Sequence, residues 1–307
     1  MHFVLGKGGV GKSTVAAALA LGLARGGARV LAIELDRPDG LGRALRARTD
    51  APGAITLTPA GVAYSYFDGA AALAEYLQRK ARLGPLLHGV FAHPLYAAFV
   101  GAAPGVKELL AIGKVRDELV LQKVHGRPRW DAVVVDAGAS GHALEVLRMP
   151  KSAASTFASG RVHREAARIH ELISDGSRSA IHVLATAEEM PVAEAAQSVG
   201  TLEAEIGLPV GRLIVNRCIE PAPAGIERTL RRLVELSVMG ERERAAREAL
   251  LASGRRALGW AAIQERAIDA LRLATRREPL RLPLLTASPL GLAELRVLAD
   301  RLREGVA

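Results

Sequence analysis

Nine residues near the start constrain this chain more than any others: Gly6-Lys7-Gly8-Gly9-Val10-Gly11-Lys12-Ser13-Thr14. They fit the pattern G-x-x-x-x-G-K-[ST], with Gly6 and Gly11 as its outer glycines. Phe3-Val4-Leu5 before them reads as a short buried strand, and Val15 to Arg25 after them as an Ala/Leu helix. A loop of this kind bends through positive φ, which glycine tolerates, and turns its N–H groups onto phosphate oxygens with no Cβ in the way. The following helix adds the positive end of its dipole. Gly8, Gly9, Val10, Gly11, Lys12, Ser13 and Thr14 are therefore the expected phosphate cradle. Lys12 brings charge to the β- and γ-phosphates, and Ser13 a hydroxyl to Mg²⁺. Lys7 stands out because the chain has only seven lysines against thirty-four arginines. In the usual geometry its charge points away from its own loop's phosphates and needs an anion elsewhere. The expectation is that Lys7 reaches nucleotide across a dimer interface.

The apolar runs that follow read as a sheet. Ala28 to Glu34, Trp130 to Val135, Ala180 to Ala185, Gly211 to Val215 and Arg281 to Leu285 are the strand candidates, with shorter ones at Ile55 to Pro59 and Val62 to Phe67. Strands apolar throughout belong in a buried parallel sheet, so the fold class is α/β, mostly parallel and doubly wound. Ligands of such sheets sit at the carboxyl ends of the strands. Asp36 follows the second strand and so lies near the γ-phosphate. It either orients the attacking water, contacts Mg²⁺, or caps a turn. Asp136 ends a hydrophobic strand, the arrangement in which a carboxylate supports a metal-bound water. The small residues Ala137 to Gly141, Gly138 among them, suit a switch loop whose backbone approaches phosphate. His142 reports nucleotide state or caps the next helix. Asn216 ends the fifth strand, where an amide suits an adenine edge or a turn.

Helices are expected over Ala70 to Arg82, Leu95 to Gly101, Val106 to Val124, Lys151 to Ser179, Pro191 to Glu205, Glu220 to Arg281 and Leu292 to Arg303. The expected organisation is one domain over residues 1–307, with a helical subdomain at about 83–124 and a short helical segment at 151–179. The subdomain either holds a partner or packs on itself. His88 and His93 lie in it without ligands at metal spacing.

Composition narrows the class. Half the 307 residues are hydrophobic but only 4% are aromatic, so the core is built of Ala, Val, Leu and Ile. No run of 18 uncharged apolar residues occurs, and a strand-like start leaves no room for a signal peptide. The one cysteine, Cys218, excludes an intrachain disulfide and an all-cysteine metal site within the chain. These features point to the cytoplasm. The net charge of +9 suits nucleic acid or an anionic membrane, or reflects the Arg and Ala usage of a GC-rich genome. Between Pro221 and Leu282 thirteen arginines meet eight acids, net +5, but the signs are interleaved as on a solvated face. Nucleic acid is not the expected partner.

Lys7 to Thr14 (KGGVGKST) resembles the deviant Walker A loop of the P-loop branch that holds MinD, ParA and the nitrogenase iron protein. Asp136 to Pro150 (DAGASGHALEVLRMP) is similar to the switch D-T-A-P-T-G-H-x-L-x-x-L-x-x-P of the arsenite-pump and tail-anchored-protein targeting ATPases. Pro104 to Glu108 (PGVKE) resembles that family's P-G-x-x-E, and Leu282 to Leu292 (LPLLTASPLGL) its late loop beside the base. The resemblance spans nearly the whole chain. It implies an ATPase binding ATP or ADP with Mg²⁺, working as a nucleotide-gated homodimer or heterodimer that couples hydrolysis to a protein client. It implies Lys7 acting in trans, Lys12 and Ser13 in cis, Asp36 positioning water, Asp136 and Ser13 at the metal, and Asn216 and Pro289 near adenine. After Asp36 the first switch departs from D-P-A-H-N. The arsenite site's cysteines, the zinc-binding pair and the cluster cysteines are absent, so arsenite handling, zinc and an iron–sulfur cluster are not expected. The alternative is a ParA- or MinD-like positioning ATPase acting on DNA or a membrane surface.

Overall fold

Side chains along a strand point alternately to the two faces of a sheet. The strands here are apolar on both faces, so each feeds two cores. The computed structural model describes residues 1–35, 40–49, 51–67, 106–118, 122–220, 225–235, 240–287 and 290–304. Its strands β1 (His2–Gly6), β2 (Val30–Leu35), β3 (Thr56–Leu57), β4 (Ala63–Phe67), β7 (Ala132–Ala139), β8 (Ala180–Thr186), β9 (Val210–Cys218) and β10 (Leu280–Pro283) form one sheet. Their order is β10-β9-β8-β1-β7-β2-β4-β3. Every pairing is parallel except β3 with β4.

Helices α1 (Lys12–Arg25), α2 (Leu41–Ala44) and α9 (Leu292–Glu304) cover one face, burying Val15, Leu21, Leu41, Leu295, Leu298 and Leu302 against Val4, Ala32, Val134 and Ile214. Helices α3 (Val106–Arg116), α4 (Ser140–Thr156), α5 (Gly160–Ser174) and α6 (Glu189–Gly200) cover the other. There Ile112, Leu147, Ile173 and Val199 meet Phe3, Ile33, Val135, Val183 and Val215. The alternation places Glu34, Asp136 and Asn216 on the α1 face, in step with Ala32, Val134 and Ile214. Helices α7 (Ile226–Glu235) and α8 (Glu241–Thr275) complete the set between β9 and β10; α8 is anchored to the second core by Ile268 and Leu271.

Several boundaries differ from the sequence reading. Of the helix expected over Val106 to Val124, Val106–Arg116 is α-helical and 117–118 continue in π geometry, while Lys123–Val124 pairs with Arg127–Pro128 as a hairpin, β5 and β6. His125 (φ 51) and Gly126 (φ 77) turn it, the left-handed pair a two-residue hairpin needs. Helix α4 begins at Ser140, directly after β7, and runs through Pro150; a second helix, α5, then fills most of 151–179. The long helix at 220–281 is two helices, α7 and α8. The readings for Ala70 to Arg82, Leu95 to Gly101, His88, His93 and residues 83–105 of the subdomain lie outside the described residues, as do Asp36 and Pro289.

Candidate nucleotide site

The loop between β1 and α1 has the shape its glycines allow. Gly9 (φ 87) and Gly11 (φ 94) are left-handed, and Gly11 is the N-cap of α1. Gly6 lies against the Leu184 carbonyl of β8 so closely that a Cβ would overlap it. Gly8 and Gly9 are exposed, Val10 is buried beneath them, and Lys12, Ser13 and Thr14 form the first turn of α1. That turn leaves its N–H groups facing the loop, an anion site by construction. Lys12 Nζ donates to the Lys7 carbonyl at 2.9 Å. Burial lowers its proton affinity, and the nearby Asp136 opposes that shift.

Asp136 lies within β7 rather than at its last residue, with Gly138 (φ 77) two positions on. Its carboxyl is pushed upward by burial and by Glu34, while bonds from the Ser13 hydroxyl and Gly138 N–H, and the charge of Lys12, pull it down. Oδ1 of Asp136 is buried with no hydrogen-bond partner among the described residues. An orphaned carboxylate oxygen beside a serine hydroxyl is a hard-oxygen pair suited to Mg²⁺. Among the described residues no group of three His, Cys, Asp or Glu side chains is placed to hold a metal ion.

The sequence reading overlooked two acids. Lys7 Nζ pairs with Glu194 Oε1 of α6 at 2.8 Å in the single chain. Glu34 sits opposite Asp136 in the β2–β7 register. Its Oε1 accepts from Gly40 N (2.7 Å) and Leu41 N (3.1 Å), and its Oε2 from Gly42 N (3.2 Å) and Tyr64 Oη (2.8 Å). A Cβ on Gly40 would overlap Ser13, and one on Gly42 would lie 2.7 Å from Tyr64 Oη. The Gly40–Gly42 turn is thus wedged between Ser13 and Tyr64, with Glu34 as its clasp. Gly-Leu-Gly after an acidic strand end was the available signal. Asn216 is 5% exposed, and its Nδ2 donates to the Val10 carbonyl at 2.9 Å. Cys218 is a buried small side chain whose thiol is pushed up to about 11 by burial.

The sequence model of the family described as anion-transporting ATPase matches residues 1–165. The chain belongs to that family. The chain is 33% identical to ATPase BagA of Mycobacterium tuberculosis over 235 residues, 74% of this chain and 66% of BagA. It is 25% identical to the arsenical pump-driving ATPase of Acidiphilium multivorum over 252 residues, 72% of this chain and 40% of that protein. The chain thus spans just under two thirds of BagA and less of the pump-driving ATPase. The parallel sheet with its amino-terminal glycine loop is the P-loop fold of an ATPase family. No helix among the described residues is long and apolar enough to cross a membrane.

Proposed function

We propose that this chain binds and hydrolyses ATP with Mg²⁺, in a dimer whose opening and closing follows the nucleotide and is coupled to binding of a protein partner. One observation carries the reading. A left-handed glycine loop at the head of α1 faces a Ser13–Asp136 pair whose buried Oδ1 has no partner among the described residues. Gly8 to Thr14 bind the phosphates through backbone N–H groups. Lys12 exchanges the Lys7 carbonyl for a phosphate oxygen. Ser13 and Asp136 hold Mg²⁺, which when bound offsets charge on the β- and γ-phosphates. We assign the positioning of water to Asp36, a backbone contact to Gly138 and proximity to the base to Pro289.

Lys7 is the residue that must travel. Its pair with Glu194 is about one third exposed on both sides, so breaking it costs about 1 kcal/mol or less. Once released, Lys7 reaches the partner's nucleotide and stabilises the transferring phosphoryl group. No covalent intermediate is needed; catalysis is positioning and charge stabilisation.

Phosphate release measured against protein concentration tests this. The wild-type rate per chain should rise with concentration, and Lys7→Ala should lower it by a factor of about 10³, the effect of removing a cation supplied in trans. A wild-type rate per chain independent of concentration removes the dimer; no ATP-dependent phosphate release removes the ATPase.

A further inference from the structure

We propose that Asn216 is a positioning residue of the phosphate loop: its side-chain amide clamps the Val10–Gly11 peptide so that the Gly11 N–H faces the anion. The inference deepens the nucleotide-binding reading above and rests on it.

A trans peptide points its C=O and N–H in opposite directions. The Val10 carbonyl is held by Asn216 Nδ2 at 2.9 Å, in a buried bond spanning 206 residues of sequence. The N–H of that peptide, which belongs to Gly11, is thereby turned the other way, toward the concave side of the loop. With the bond absent, nothing described fixes this peptide against flipping its carbonyl oxygen toward phosphate, where it would repel.

Two further observations show that the contact is built. First, Gly11 is left-handed, and a Cβ there would overlap Asn216 Nδ2. Glycine is required at that position by the amide as well as by φ. Second, β9 carries a local irregularity at this point. Arg281 pairs with Val215 and Pro283 with Cys218, so Asn216 and Arg217 stand against one residue of β10. Arg217 takes φ 59, a left-handed conformation unfavourable for a side chain of its size. Bulges of this kind re-aim a side chain. The register with β8 shifts earlier, between Ile181 and Val183, but is regular from Leu213 through Asn216, so the strand remains paired while the amide is presented to the loop.

A residue that reads adenine and a residue that braces the loop respond differently to a ligand without a base. The test is calorimetric binding of inorganic pyrophosphate and of Mg-ATP to wild type, Asn216→Ala and Asn216→Leu. It is paired with hydrogen exchange of the amides of residues 7–13 in ligand-free protein. Leucine fills the volume of asparagine, so N216L serves if N216A loses its cooperative unfolding. The expected result is that pyrophosphate and ATP weaken by the same factor, about tenfold for one hydrogen bond. Exchange in the loop should also speed up while β1 and β7 keep their protection. Pyrophosphate affinity and loop exchange unchanged, with ATP alone weakened, would make Asn216 a base reader and overturn the proposal. No change for either ligand also overturns it. Wild type that binds neither ligand defeats the nucleotide reading and this inference together; wild type that binds both, with indifferent variants, defeats the brace alone.

Discussion

Glu34→Ala should cost about 4 kcal/mol of folding stability. Among the described residues the carboxylate accepts hydrogen bonds from the N–H groups of Gly40, Leu41 and Gly42 and from Tyr64 Oη, and it is 5% exposed. Truncation leaves three backbone donors and one hydroxyl without that acceptor. Each unsatisfied buried donor costs about 1–3 kcal/mol, and the lower value applies where water enters the vacated space, giving about 4 kcal/mol for four. This is a large share of the roughly 5–15 kcal/mol that holds a domain together. Glu34→Gln keeps the shape and one acceptor oxygen. Its NH₂ faces the Gly42 N–H, while Tyr64 Oη can turn to accept from it, so the loss is about 2 kcal/mol. Tyr64→Phe alone should cost about 1 kcal/mol. Because the two side chains share one bond, their combined loss should fall short of the sum by about 1 kcal/mol. Urea unfolding of the four variants and wild type, at constant m, reads all these values. If Glu34→Ala lay within about 1 kcal/mol of wild type, the clasp would not hold the Gly40–Gly42 turn and the reasoning would fail.

Three other outcomes are expected. His2 and His182 stack in the interior, with His2 Nδ1 and His182 Nε2 3.1 Å apart and His182 Nδ1 accepting from Arg212 N. Burial lowers their pKa values to about 4 and about 3, each further lowered by neighbouring positive groups. The unfolded chain therefore takes up protons first: the stability present above pH 6.5 is lost as pH falls toward 4, at about 2 kcal/mol per ring between pH 7 and 5. Urea midpoints at the two pH values should show this, and His182→Leu should reduce the difference; an equal difference would refute it. Gly11→Ala, blocked by Asn216 and by its left-handed φ, should weaken ATP binding at least about a hundredfold by calorimetry, from at least about 2.7 kcal/mol of clash and strain. Cys218 should resist a thiol reagent in the native protein at pH 8 and react fully in urea, since its buried thiol is pushed up to about 11.

The sequence by itself determined the elements whose cause is local. The glycine loop, the helix after it and Asp136 on its apolar strand announce themselves through spacing, composition and two-residue alternation. So does the sheet, because strands apolar on both faces have few places to go. Helix ends were harder. Val106 to Val124 carried apolar residues enough for one helix, but its last two residues, Lys123–Val124, close as a hairpin with Arg127–Pro128 through the left-handed His125 and Gly126. Only the tertiary structure decided what each functional side chain touches. The acid that meets Lys7 lies on α6, the donor that holds Val10 on β9, and the hydroxyl that shares Glu34 on β4. Those partners are chosen by the order and register of strands, which depend on how two cores fill around the sheet. A residue's near neighbours in the chain carry no record of that filling, so the motif could be read from one end of the molecule and its supports could not.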